Sequence, residues 1–250
     1  MYTVRDYLKT PKDIAGSLRK IKNIGYGAVE LVELSQITAA ELKTMLDGIG
    51  LVACSAHVSS ENLFGNIDEV IERLSILGAK SAAYPYPAGI DFSTIAGVKS
   101  LAKKLDKAGA ALKEAGIVLT YHNHNIEFVK IKGQTVLSHI YELTDPLQLQ
   151  GEIDTYWVQS GGGDSVAWIK SLKKRMPLLH MKDYGVDLDK TPQYEEIGSG
   201  NLDWAPIVKA AKASGCKWYI VEQDAYWEKN DPFKSLKTSF TYITENLCVD

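Results

Sequence analysis

The chain has 250 residues, 45% hydrophobic and 24% charged, ordinary values for a globular protein long enough to bury one large core. Its net charge of −3 offers no basic field to nucleic acid or to an anionic membrane. No apolar run approaches a membrane span, Arg5, Asp6 and Lys9 stand where a signal peptide would be apolar, and Cys54, Cys216 and Cys248 form no Cys-x-x-Cys pair, so a reducing cytoplasm is the expected location.

Strands and helices are predicted to alternate eight times. Tyr2–Tyr7 reads as the first strand. Pro11 opens a helix whose apolar positions Ile14, Leu18, Ile21 and Ile24 keep helical spacing, and Gly25-Tyr26-Gly27 stops it. Ala28–Val32 is the expected second strand. Thr38 caps a helix running to Ile49, with Glu41 placed to complete a capping box. Leu51–Ala56 reads as the third strand, Ile67–Leu77 as a helix ended by Gly78, and Lys80–Tyr84 as the fourth strand. Ser93–Ala115 is a long predicted helix ended by Gly116, and Ile117–His122 the fifth strand. A helix over about Gln134–Glu142 precedes a sixth strand at Leu147–Ile153. Ser165–Lys174 is the next helix and Leu178–Met181 the seventh strand. Asp203 is expected to cap a helix ending at Ser214 and Gly215; Trp218–Val221 is the eighth strand, and Pro232 opens the last helix.

Most of these strands are short continuous apolar runs, the pattern of strands buried on both faces. Eight such units in this length predict a single-domain α/β fold over residues 1–250, a closed (β/α)8 TIM barrel. No Gly-x-Gly-x-x-Gly follows the first strand, which argues against a dinucleotide-binding sheet. The longest irregular segment, Tyr184–Asn201, follows the seventh strand and is placed to serve as a lid.

In a parallel barrel the C-terminal ends of all strands share one face, and metal-site chemistry collects there. Asp154 ends the sixth strand, His180 lies in the seventh, and Glu222 follows the eighth; a carboxylate at the end of a buried strand is costly unless paired or bound to a cation. Tyr121-His122-Asn123-His124 closes the fifth strand. Residues at i and i+2 share a strand face, so His122 and His124 both look toward the barrel mouth while Asn123 faces away, and Glu127 in the next loop can fold back. One of these completes a metal shell, leaving the others to bind substrate or move protons. Lys182 is placed to stabilise negative charge or act as an acid, or else to pair with Asp183 at the rim. His57, at the end of the third strand, points to the same face, and Trp157 is placed to wall a sugar ring. Neutral imidazoles with carboxylates suit Mn²⁺, Mg²⁺, Co²⁺ or Zn²⁺. Three features take a structural reading: Glu30 and Glu33 as rim salt bridges, His139 on a helix away from the face, and Gly198-Ser199-Gly200 as a tight loop.

These segments together resemble the xylose-isomerase-like TIM barrel family, the sugar phosphate isomerase/epimerase group. The resemblance spans essentially the whole chain. It rests on Ile24-Gly-Tyr-Gly-Ala-Val-Glu-Leu31, Tyr121-His-Asn-His124, Asp154-Thr155, His180-Met-Lys-Asp183, Gly198-Ser-Gly-Asn-Leu-Asp-Trp204 and Val221-Glu222, with wording nearest the inosose dehydratase and 3-keto-sugar branch. It implies a divalent cation, Mn²⁺ foremost, held by Glu, Asp, His and Glu from strands five to eight. Asp154, His180 and Glu222 match the last three. His122 stands where the first glutamate belongs, so either His122 or Glu127 is the fourth ligand.

The resemblance further implies an isomerase or epimerase acting on a sugar or keto-sugar by α-proton abstraction and a cation-stabilised enediolate. Glu222, His124 or Glu127 would be the base, Lys182 a further catalytic group, and His57, Trp157 and Asp183 would contact substrate. A lyase or dehydratase shares the first step and is the alternative; a non-catalytic sugar-binding barrel is the alternative of another class. A small-molecule substrate is expected, with no nucleic-acid or membrane partner, and a homo-oligomer suits this architecture.

Overall fold

A computed structural model describes residues 1–247, so the third cysteine, Cys248, lies outside the described residues; Cys54 and Cys216 are free thiols. Seven parallel strands form one sheet. They are β1 (Ala28–Leu31), β2 (Val52–His57), β3 (Ser81–Tyr84), β4 (Val118–His122), β7 (Gln150–Asp154), β8 (Leu178–Met181) and β11 (Trp218–Val221), in that spatial order. Two small antiparallel ribbons lie apart from it: β5 (Lys130–Ile131) with β6 (Gln134–Thr135), and β9 (Asp183–Val186) with β10 (Pro192–Glu195).

Around the sheet run α1 (Pro11–Ile24), α2 (Ala39–Ile49), α3 (Ser60–Gly65), α4 (Ile67–Leu77), α5 (Ile95–Glu114), α6 (Val136–Glu142), α7 (Thr155–Ser160), α8 (Ser165–Ser171), α9 (Trp204–Ser214) and α10 (Pro232–Asn246). Local chemistry sets their ends. Thr10 caps α1 by accepting from the Asp13 amide, with Pro11 at the first helical position where its missing N–H costs nothing. Ile14, Leu18 and Ile21 then face the core. Thr38 and Glu41 complete the capping box of α2, and Gly50 and Gly78 close α2 and α4 in the left-handed conformation. None of the helices among the described residues is long and apolar enough to cross a membrane.

The first predicted strand is corrected. Tyr2–Tyr7 is a 3₁₀ segment in which the Val4 amide donates to the Met1 carbonyl and the Leu8 amide to Arg5. Its buried residues, Thr3 and Val4, are adjacent in sequence, which suits a tight turn and not the alternation of a strand. It sits over the ends of β1 and β11, through Met1 N to the Glu30 carbonyl and the Gln223 amide to Thr3 Oγ1. Among the described residues the sheet therefore has seven strands, and β1 and β11 are not bonded to each other.

Other differences are local. The sixth predicted strand starts at Gln150, because Leu147 is exposed in a turn held by Asp145. The short helices α3 and α7 were not foreseen, and the irregular segment after the seventh predicted strand contains most of the β9–β10 hairpin. Asp203 occupies the N-cap of α9 without a side-chain cap bond.

The turn that launches β7 is seated on α5. Asp106 accepts the Asp145 amide, and one turn later Gly109 lies so close to Gln148 that a Cβ would fall 2.1 Å from its carbonyl oxygen. Helix propensity alone favours alanine over an interior glycine by about 1 kcal/mol. The clash should reverse that sign. Gly109→Ala is expected to destabilise the protein by about 2 kcal/mol, the usual scale of overpacking, in urea denaturation.

Candidate metal and catalytic site

Four strand ends converge at the barrel mouth. β4 delivers His122, β7 Asp154, β8 His180, and Glu222 follows β11. All four are buried, and each offers one ligand atom within 4.8 Å of the others. His122 Nε2 is 3.1 Å from Asp154 Oδ2. His180 Nδ1 lies 3.8 Å from Asp154 Oδ2 and 3.6 Å from Glu222 Oε1, too far for hydrogen bonds, and this buried nitrogen has no hydrogen-bond partner. An orphaned imidazole nitrogen facing two carboxylate oxygens, with a second imidazole beside them, fits the donor preferences of a first-row divalent cation.

The supporting contacts fix these donors. Asp154 Oδ1 accepts the Trp157 amide and so caps α7, which orients Oδ2 toward His122. Asn123 faces away from the mouth and grips the Asp154 backbone, accepting its N–H at 3.0 Å and donating to its carbonyl at 3.4 Å. His180 Nε2 is 2.8 Å from Glu30 Oε2, which also receives His57 Nε2 at 2.8 Å. With Nε2–H donated to Glu30, His180 would offer its Nδ1 lone pair to a cation that displaces the proton there.

Glu30 is thus not a rim residue. It is buried on an interior-facing position of β1, and Glu33 accepts from Asn62 and the Ser59 amide rather than forming a rim salt bridge. Glu152, two residues before Asp154 on the same face of β7, lies deeper, where it accepts from Thr120 Oγ1. Burial pushes its carboxyl up to about 7.

Lys182 forms the second half of the site. Its buried Nζ is 2.9 Å from Glu222 Oε1, 2.7 Å from Asp224 Oδ2 and 3.6 Å from Asp154 Oδ2. Burial opposes the lysine charge, but the carboxylates outweigh it and hold the ammonium above its ordinary pKa. Burial likewise pushes Glu222 up, and the charges of Lys182 and His180 overcome it, holding Glu222 well below the usual range. Burial raises Asp224 to about 6 against the pull of Lys182. The sequence reading passed over Asp224; its signal was the i, i+2 spacing from Glu222 beyond a strand end.

A cavity of about 340 Å³ opens above the cluster, lined by His57, Tyr86, His122, His124, Trp157, Lys182, Glu222 and Asp224 together with Tyr2 and Pro85. Trp157 packs its ring 5.1 Å from His124 and leaves its buried indole N–H without a partner. Burial, reinforced by His122, holds His124 down to about 3, so its ring is neutral. From the segment expected as a lid, Tyr194 stacks on Tyr156 at 4.3 Å and lies 5.5 Å from Lys182 Nζ.

Two candidates lie elsewhere. Glu127 is not among the residues lining the cavity; its oxygens accept from the Tyr121 hydroxyl and the His124 amide, at 2.8 Å each. Asp183 does not pair with Lys182. Its buried carboxylate accepts from the amides of Tyr184, Gly198, Gly200 and Leu202 and from Trp204 Nε1. The Gly198-Ser-Gly200 loop is wrapped around that carboxylate. His139 lies on α6, against the Ile131 carbonyl.

A family model described as the xylose isomerase-like TIM barrel matches residues 18–243. The chain belongs to that family. A sugar phosphate isomerase/epimerase from Parabacteroides distasonis superposes with a TM-score of 0.80 at 25% identity, over 96% of this chain and 90% of the other. An L-ribulose 3-epimerase shares the fold with a TM-score of 0.74 at 16% identity, over 96% and 90%. Among curated proteins, the inosose dehydratase of Clostridium tetani is 23% identical over 60% of this chain and 55% of its own length. That of Mesomycoplasma hyopneumoniae is 27% identical over 58% and 53%. The matched region thus spans about half the length of these curated relatives.

Glu127 sets a pH dependence of stability. Burial raises its carboxyl from 4.5 to about 6, so the folded state binds the proton more tightly than the unfolded one. Its contribution is complete below the unfolded value and is lost as pH rises through the folded one. Relative to Glu127→Gln, the parent protein should lose about 2 kcal/mol between roughly pH 4 and pH 7, read from urea denaturation at each pH.

Proposed function

We propose that this protein is a divalent-metal-dependent enzyme acting on a sugar or keto-sugar, beginning with removal of a proton from the carbon beside a carbonyl. The convergence of His122, Asp154, His180 and Glu222 beneath an aromatic-walled cavity carries the reading. Those four residues would hold the cation, which supplies Lewis acidity to a carbonyl and its neighbouring hydroxyl. The cavity volume suits one small ring. Trp157 and Tyr86 offer flat apolar faces to it, and the free indole N–H offers a donor to a hydroxyl.

Glu222, ionised and adjacent to both cluster and cavity, is the residue placed to take the proton. Asp224, raised to about 6, can hold a proton near neutral pH and return it to a departing or carbonyl oxygen, with Lys182 holding both carboxylates in place. Both of these carboxylates come from the end of β11, while imidazoles line the wall at β4. An epimerase of the opposed-glutamate kind needs one carboxylate on each face of the substrate. This asymmetric set suits elimination, in which one group removes a proton and another protonates the leaving oxygen. The dehydratase or lyase outcome is therefore our leading assignment, in line with the inosose dehydratase relatives. The isomerase or epimerase outcome is the second reading, supported by the near-full-length likeness to the Parabacteroides isomerase/epimerase.

The cavity also favours an uncharged substrate. Lys182, the one lysine or arginine among the described residues lining it, is engaged by carboxylates, and the Gly198 and Gly200 amides are turned onto Asp183, so neither is free to pair with a phosphate.

Asp154→Asn and His180→Ala should each weaken Mn²⁺ binding at least about a hundredfold in calorimetry, and full retention of metal by both would remove the site assignment. Glu30→Gln should keep the fold and weaken Mn²⁺ binding by about ten- to a hundredfold, because it loosens the tautomer and orientation of His180. NMR of the Mg²⁺-loaded protein in D₂O with inososes, ketoses and 3-keto-glycosides separates the outcomes. Loss of water or an aglycone establishes elimination, deuterium incorporation without loss of a group establishes isomerisation or epimerisation, and no exchange on any substrate overturns the catalytic reading.

A further inference from the structure

Away from the mouth, the helical layer carries a second concave surface. A groove of about 310 Å³ lies between α3–α4 and α5, with Phe64 and Ile67 on one side and Lys104, Lys107, Ala108 and Ala111 on the other. None of these residues lines the cavity above the metal-ligand cluster. Phe64 and Ile67 are only half-buried, so part of their apolar surface still faces water. The two sides of the groove carry opposite charge. Lys103, Lys104 and Lys107 are exposed on α5, and Glu61, Asp68 and Glu72 are exposed on α3 and α4. Among the described residues none of these six forms an ion pair within the chain. Lys104 instead holds its Nζ 5.6 Å from the centre of the Phe64 ring, across the groove.

We propose that this groove is the contact surface of a homodimer whose two-fold axis runs along it. The helices α4 and α5 each return between neighbouring parallel strands, so they lie side by side in the same direction. Rotation about an axis along the groove places each α5 opposite the partner's α3 and α4. The lysines of one copy then meet the carboxylates of the other, and the contact is made twice, as an isologous interface requires. The same rotation sets Phe64 and Ile67 against the small residues of the partner's α5, where alanines leave room for them. Charge balance argues for a second copy over another partner. The patch carries three cations and three anions, so a partner of either single sign is repelled by half of it. A copy of the same surface is complementary to both halves. Exposed ion pairs contribute little each, so the apolar groove supplies the association while the charges fix register and partner. The arrangement leaves both barrel mouths open and is independent of the reaction proposed above.

The test is sedimentation equilibrium of the purified protein and of two charge-reversed variants, each first checked for a native thermal melt. The parent should be dimeric at about 50 μM, where a micromolar dissociation constant leaves most chains paired. Lys104→Glu with Lys107→Glu makes both sides acidic, and Asp68→Lys with Glu72→Lys makes both sides basic. Each double variant should dissociate at least about tenfold more readily than the parent. Mixed in equal amounts, the two should pair with each other and recover the dimer mass. Ala111→Trp, which fills the groove without changing a charge, should give a monomer. A monomeric parent overturns the proposal. So does a dimer that the charge reversals and Ala111→Trp leave intact, or a mixture of folded variants that stays monomeric.

Discussion

Charge buried inside the barrel is the constraint on which the rest depends. Glu30, His122, Glu152, Asp154, His180, Lys182 and Glu222 are all buried, and each ion taken from water costs several kcal/mol unless it is paired. His180 is the hinge of the solution. One ring nitrogen is tied to Glu30, and the other faces Asp154 and Glu222 without bonding either. Burial opposes a charge on His180, yet the surrounding carboxylates raise its pKa well above normal. The site therefore carries a field that favours positive charge at its centre. Lys182 answers part of that field from the side of Glu222 and Asp224, and a divalent cation among the four donors would answer the rest.

The surrounding fold reads as support for that cluster. Asn123 ties the end of β4 to the end of β7, and α7 begins on the Asp154 carboxylate, so two donors are positioned by backbone. Asp183 uses its buried carboxylate to gather the loop leading to α9, which keeps the adjacent Lys182 free to turn the other way. Consecutive residues of one segment thus do different work because the chain alternates faces: His180 in the cluster, Lys182 beside it, Asp183 in the loop. Such placement makes the site rigid, and rigid donors favour selective binding of a cation and a ring above it.

Much of this could be read from residue order. Charged residues ending short apolar runs located the barrel mouth, and the spacing of Asp154, His180 and Glu222 put them on neighbouring strand ends. Glu30 and Asp183 were harder. Both are acids near a strand, one read as a rim salt bridge and the other as a substrate contact, and they differ only in the depth of the strand position and in what the next loop brings to them. Asp224 lay outside the reading because a carboxylate two residues past Glu222 looks like loop surface until Lys182 reaches it. Gly109 shows the same limit in the helical layer, where local propensity favours alanine and a carbonyl from another segment forbids it.

The sequence by itself determined the alternation of strands and helices, the face that carries the chemistry and the residue types gathered there, because periodicity and caps are local properties of the chain. Only the tertiary structure decided which donors meet, that Glu30 orients His180, that Tyr2–Tyr7 turns rather than extends, and that a seam stays open between β1 and β11. Those outcomes depend on contacts between residues as much as 150 or more positions apart, such as His180 with Glu30 and Gln223 with Thr3, and no local pattern encodes which distant partner will arrive.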